Sequence, residues 1–275
     1  VGSIQKSFAD LWSPEFHGLD QVKLFRSATV TEQITILEQI NSGVVLESYC
    51  VEKMGVGYTG KMILLADSLE ERMIYGLFAA DEARHLAQIR HCFPFLESQM
   101  TISDPFLEFL TELAESQNKT LLLMVVQVVL EGWGVSHYRT LAQACDDPYL
   151  AQVYQSFLQD EHRHHAMGLV SVQEMEIPLA SYAEVLDALV TFLGWVQVGP
   201  QRILAALEQV KGILSRSDKL EILRELEAES YSHTRLCLLK SLLERALFDT
   251  GNSSRLLQDL ETLGCFDPFP PHRCI

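Results

Sequence analysis

The chain has 275 residues, of which 37 are acidic and 21 basic, for a formal net charge of −16, and 48% are hydrophobic. That acidity excludes a general nucleic-acid surface and an anionic membrane as partners, while the apolar content is ample for a sizeable core. The six cysteines, at positions 50, 92, 145, 237, 265 and 274, show neither zinc-type nor regular disulfide spacing, and no secretory signal pattern is visible, so reduced thiols in a cytoplasmic protein are expected.

Residues 1–30 mix Pro14 and Gly18 with Phe8, Trp12, Phe16 and Phe25, and read as an irregular arm packed on the body. A helix is predicted from Thr31 to about Ala66. Gly55, Gly57 and Gly60 weaken its second half by roughly 1 kcal/mol each relative to Ala, which leaves a kink or close helix packing open. Ser68-Leu-Glu-Glu71 reads as a capping box that starts a second helix, which runs to Cys92 and stops before Pro94. Residues 94–116 form a crossover with a short helix from Asp104-Pro105. Helices over 118–144 and 147–174 follow, and Glu176-Ile177-Pro178 ends this core. The run Leu121–Val126 is soon interrupted by Gln127 and Glu131, so it reads as a buried helix and not a membrane span. Further helices are predicted from Ser181, ended or kinked at Gly199-Pro200 and continued to Leu214, then from Ser217 to about Phe248, and over 254–263. The tail from Phe266 is too proline-rich to be regular. No strand-like alternation, dinucleotide fingerprint or phosphate loop appears, so the chain is expected to be all-α, and residues 1–275 a single domain.

One motif occurs twice: Asp81-Glu82-Ala83-Arg84-His85 and Asp160-Glu161-His162-Arg163-His164. A Glu and a His three residues apart share one face of a helix, one turn from each other. A second echo lies upstream, where Val44–Val51, containing Glu47, parallels Val128–Val135, containing Glu131. The midpoint of Glu131 and Glu161 falls on the turn signal Asp146-Asp147-Pro148, and that of Glu47 and Glu82 falls near Asp67-Ser68. Two helical hairpins would then bring Glu47, Glu82, His85, Glu131, Glu161 and His164 together. One Glu from each of two helices and a Glu-x-x-His from each of the other two make the ligand set of a dimetal-carboxylate site. This hard, anionic donor set suits Fe or Mn better than Cu.

Across roughly residues 31–175 the sequence resembles the ferritin-like non-haem di-iron oxidases and oxygenases, in the Asp-Glu-x-Arg-His form found in arylamine N-oxygenases and bacterial multicomponent monooxygenase hydroxylases. The resemblance implies a ferritin-like antiparallel four-helix bundle, with the N-terminal arm and residues 176–275 as accessory elements. It implies two Fe ions, or a Mn/Fe pair, bridged by Glu82 and Glu161. It also implies that Asp81 supports His164, that Asp160 supports His85, and that Arg84 and Arg163 balance carboxylate charge.

Other candidates are weaker. Glu52 also stands at an allowed distance before Asp81, but the parallel between the two valine-rich stretches favours Glu47. His165 and His137 lie off the ligand faces, and His233 reads as a seventh ligand only by analogy with N-oxygenases. Those enzymes take their extra His from the second-motif helix, where this chain has Phe157. Tyr49 and Trp133, next to the ligand positions, need no role beyond the core. A substrate cavity is expected along Cys50, Val51, Met54, Tyr75, Phe78, Gln127, Val128, Tyr138, Tyr154 and Phe157. The expected function is O2-dependent oxidation, by hydroxylation or N-oxygenation, of a small, largely apolar organic molecule. Electrons would come from an external donor, and neither a membrane nor nucleic acid takes part; a homodimer is compatible. The alternatives are a ferroxidase that handles iron and a bundle that uses the repeat only for packing.

Overall fold

Thr29 starts the first long helix. Its side chain accepts from the Glu32 amide while the Glu32 carboxylate accepts from the Thr29 amide, a reciprocal capping box. In this computed structural model, which describes residues 7–96, 104–173, 175–247 and 253–275 (without the side chains of 253 and 254), that helix, α1, runs unbroken over Val30–Leu65. The three glycines therefore do not interrupt it. Gly55 instead permits close packing against Glu82 on the next helix, α2, Leu69–Cys92. Ser68 caps α2 by accepting from the Glu71 amide, but Glu71 returns its carboxylate to the Asp67 amide, one residue further out than a capping box requires.

Helix α3, Pro105–Glu115, is capped by Asp104. Helix α4, Lys119–Ala144, is capped by Asn118 and is long and apolar enough to cross a membrane by composition; most of it is buried inside the protein. Its stretch Leu122–Leu130 is π-helical, which the sequence reading missed, and it ends where Glu131 begins. The Asp147 carboxylate accepts from the amides of Tyr149 and Leu150 and so sets the start of α5, Pro148–Gln173. All the described residues are helical or irregular; none is in a strand.

Each of the hairpins α1–α2 and α4–α5 is joined by about three residues, and the two meet where α2 faces α5. Helices α6, Leu179–Gln197, and α7, Gln201–Lys211, are separated at Gly199-Pro200 as expected. The long C-terminal helix expected from Ser217 is two helices, α8, Arg216–Glu225, and α9, Ala228–Ala246. The break is at Glu227, which takes a left-handed conformation (φ 49°) and caps α9. Helix α10 is Ser253–Thr262. Residues 97–103 of the expected crossover, position 174 and the expected helix end at Phe248 lie outside the described residues. The arm is irregular with single helical turns, and its Leu11 and Trp12 are buried against α1, α2, α4 and α5. Helices α6 and α9 pack over α4, and α7 packs on α1.

Candidate metal centre

Four glutamates and two histidines converge where the two hairpins meet. Glu52, Glu82, His85 and Glu161 offer ligand atoms all within 4.8 Å of one another, as do Glu82, Glu131, Glu161 and His164. All six residues are buried, and Glu82 and Glu161 belong to both groups. Five of the six expected ligands are therefore brought together.

The sixth is a correction, because Glu52 and not Glu47 completes the cluster. The turn at 66–68 decides which α1 residues face α2: Gly55 lies against Glu82, and Glu52 Oε2 lies 3.1 Å from His85 Nδ1. Glu47 lies further along α1 and is paired with Arg202 of α7 instead. The sequence held a signal for this. Glu52/Glu131, Gly55/Gly134, Tyr75/Tyr154, Phe78/Phe157, Asp81/Asp160, Glu82/Glu161 and His85/His164 are each separated by the same 79 positions, whereas Glu47 breaks the spacing.

The imidazoles are oriented alike. His85 Nδ1 faces Glu52 and, at 3.5 Å, Glu161 Oε1, while its Nε2 lies 3.1 Å from Asp160 Oδ2. His164 Nδ1 is 3.0 Å from Glu82 Oε1 and 3.6 Å from Glu131 Oε2, and its Nε2 is 3.5 Å from Asp81 Oδ2. Asp160 and Asp81 thus stand behind the rings, where an aspartate fixes the tautomer that leaves Nδ1 free for a cation. The rings are clamped from the side as well: His85 stacks on Phe157, and Phe78 packs on His164, each with centroids 4.1 Å apart. Arg84 and Arg163 each bridge Asp81 and Asp160, Arg84 at 3.0 Å and Arg163 at 3.2 Å from Asp81. They balance the aspartates and do not touch the four glutamates.

Tyr138 of α4 donates to Glu52 Oε1, and Tyr154, stacked on Tyr138, donates to Ser48 Oγ. On the other side, Tyr58 and Tyr75 both donate to Gln127 Oε1, and Gln127 Nε2 donates to the His164 carbonyl. Gln127 lies in the π-helical stretch, where the altered winding precedes Glu131, a placement often met at functional sites. Of the remaining candidates, His233 is exposed beside Cys237, and His165 and His137 are outside both ligand groups.

The electrostatics of the cluster suit a bound cation. Burial pushes Glu82 up to about 8, and burial with the neighbouring Glu131 carboxylate drives Glu161 well above the carboxylate range. Burial opposes charge on His164, yet Glu131 and Glu82 raise it to about 10. Glu82 Oε1 and both ring nitrogens of His164 are buried without a hydrogen-bond partner. Buried polar atoms left unpaired are costly; a cation would satisfy Glu82 Oε1 and His164 Nδ1, while Nε2 is turned toward Asp81 Oδ2, 3.5 Å away. The charge count agrees: four glutamates offset two divalent cations, while Asp81 and Asp160 are matched by Arg84 and Arg163. The residues present therefore fit a dimetal centre. Comparison with known proteins gives no matching family model, no matching curated protein and no matching solved structure.

Proposed function

We propose that the chain is a ferritin-like non-haem dimetal oxidase or oxygenase in which Glu52, Glu82, His85, Glu131, Glu161 and His164 hold two iron ions, or one manganese and one iron. The observation that carries this reading is the sharing of Glu82 and Glu161 by two buried ligand groups, each with one His backed by an Asp. Held by these residues, such a metal pair would supply the one-electron and O2 chemistry that protein side chains lack. The protein's own part is positioning and exclusion of water. Asp81 and Asp160 hold the rings, Phe78 and Phe157 clamp them, and Tyr138 fixes one oxygen of Glu52. The substrate is a small organic molecule, and electrons come from a separate donor.

Full-length protein loaded anaerobically with ferrous iron and then exposed to O2 tests the reading. We expect about two irons per chain and a single round of O2 uptake that resumes only when reductant is supplied. Continued oxidation of added iron into a ferric mineral would contradict it and support iron storage.

A further inference from the structure

We propose that the outer face of α2 pairs two copies of this chain, antiparallel about a two-fold axis beside Leu77, in a reversible dimer. The pairing is independent of the metal centre, since it uses the side of α2 turned away from the buried Glu82 and His85.

A helix on the surface of a globular protein normally turns polar side chains outward. Helix α2 does so only along the flanks of its outer face. Leu69, Met73 and Leu77, at i, i+4 and i+8, are 68, 64 and 68% exposed. Gly76, Ala80, Ala83 and Ala87 lie on the same stripe and are exposed too. At 3.6 residues per turn, all seven fall within about 120° of the helix circumference. A continuous exposed apolar strip of this kind, unlike scattered single residues, marks a contact surface.

The bundle itself does not require the strip. The spacing of 79 positions that relates Glu82 to Glu161 also relates Met73, Gly76, Leu77, Ala80 and Ala83 to Gln152, Gln155, Ser156, Gln159 and His162 of α5. Those five residues are exposed as well. Equivalent outward positions therefore carry polar side chains on one hairpin and apolar or small ones on the other.

The order of sizes along the strip selects a second copy as the occupant. The large side chains come first and the small ones last. In a parallel pair, leucine and methionine would meet at one end and alanines at the other, and the axes would splay. An antiparallel pair centred on Leu77 sets residue i level with residue 154 − i. Leu77 then meets its own counterpart, Met73 falls beside Ala80 of the second copy, and Leu69 falls between its Ala83 and Ala87. Large enters small along the whole strip, which is the self-complementarity that a two-fold interface demands. The charges agree with the same register. Glu70, exposed in the first turn, comes level with Arg84 of the second copy on the same flank. Arg84 is half exposed and already rests on Asp81 and Asp160, so it enters the interface with its charge balanced. The paired length from Leu69 to Ala87 is about 27 Å. One helix face of that length is smaller than the about 800 Å² per partner of a stable interface, so the dimer should dissociate at micromolar concentrations.

Sedimentation velocity and light scattering of the full-length protein across the micromolar range provide the test, and we expect a monomer–dimer equilibrium. Leu77→Glu, which sets two carboxylates together at the axis, and Met73→Glu should each weaken association at least ~10-fold. Leu179→Glu, at an exposed leucine of α6, is the matched control and should leave association unchanged. Cross-linking reads the orientation. In a Cys237→Ser background, which removes the exposed native thiol, Leu77→Cys should give a disulfide-linked dimer under mild oxidation. Leu69→Cys should not, because antiparallel pairing holds the two copies of position 69 about 24 Å apart. Parent-like helical circular dichroism in each variant separates lost association from misfolding. A chain that stays monomeric throughout, a dimer indifferent to both glutamate substitutions, or cross-linking at position 69 as readily as at 77 would overturn the inference.

Discussion

Replacing Gly55 with alanine should strip the site of metal while leaving the helices intact. An added Cβ would lie 2.2 Å from Glu82 Oε2, 2.8 Å from its carboxyl carbon and 3.2 Å from Cγ. Non-bonded carbon contacts settle at about 3.5–4.0 Å, so the carboxylate must swing aside by more than about 1 Å. Only the far end of one side chain has to move, and alanine favours a helix interior over glycine by roughly 0.5–1 kcal/mol. The metal-free variant should therefore melt at or slightly above the parent temperature. Because Glu82 belongs to both ligand groups, its displacement disturbs both. We expect affinity to fall by at least ~10-fold, about 1.4 kcal/mol, seen as a smaller metal-induced rise in Tm. Gly134→Ala is the matched control, since its Cβ meets Glu161 at 3.7 Å and should leave binding intact. Anaerobic titration with ferrous iron or cobalt, with thermal melts of the same samples, reads both effects. Parent-like stoichiometry and affinity in Gly55→Ala would refute the packing on which the site rests.

Three further outcomes are expected. Asp81→Asn and Asp160→Asn should keep the helical circular dichroism of the parent while lowering metal affinity or turnover roughly 10–100-fold; no loss in either would mean that the aspartates do not support the rings. Gly168→Ala should destabilise the fold by about 1–3 kcal/mol in chemical denaturation, because its Cβ would meet the Gln127 carbonyl at 3.0 Å and press α5 off the π-helical stretch. Burial pushes the Glu47 carboxyl up, but Arg202 holds its folded pKa below the unfolded value, so the stability it contributes is present above the ordinary carboxylate pKa, about 4.3, and is lost as pH falls through the lower folded value. The stability gap between the parent and Arg202→Gln should accordingly be widest above about pH 5 and narrow below about pH 4; a gap independent of pH would refute the pairing.

Much of the helical framework could be read in advance because its signals are local. Asp147-Pro148 and Asn118 cap the helices they precede, and Gly199-Pro200 separates α6 from α7. The doubled Asp-Glu-x-Arg-His motif located four cluster residues for the same reason, since an i, i+3 pair needs only a helix, and the valine-rich parallel added Glu131. Glu47 was misassigned because local similarity of valine-rich stretches outweighed a geometric constraint. The hairpin turn fixes opposition along its whole length, and the midpoint of Glu52 and Glu82 falls on Asp67, inside the turn, whereas that of Glu47 and Glu82 falls within α1. The π-helical stretch leaves no pattern, since Leu122–Val126 and Val128–Leu130 are apolar on every side. The break at Glu227 carries no Gly or Pro, and the pairing of Arg202 with Glu47 of α1 is tertiary, made by a helix far along the chain.

The assignment of Glu52 in place of Glu47 tests the account most directly. Metal content and affinity should be measured on anaerobically loaded parent, Glu52→Ala and Glu47→Ala under identical conditions. The account predicts about two ions per chain in the parent and in Glu47→Ala, and loss of at least one in Glu52→Ala. Loss in Glu47→Ala with full binding in Glu52→Ala would contradict it.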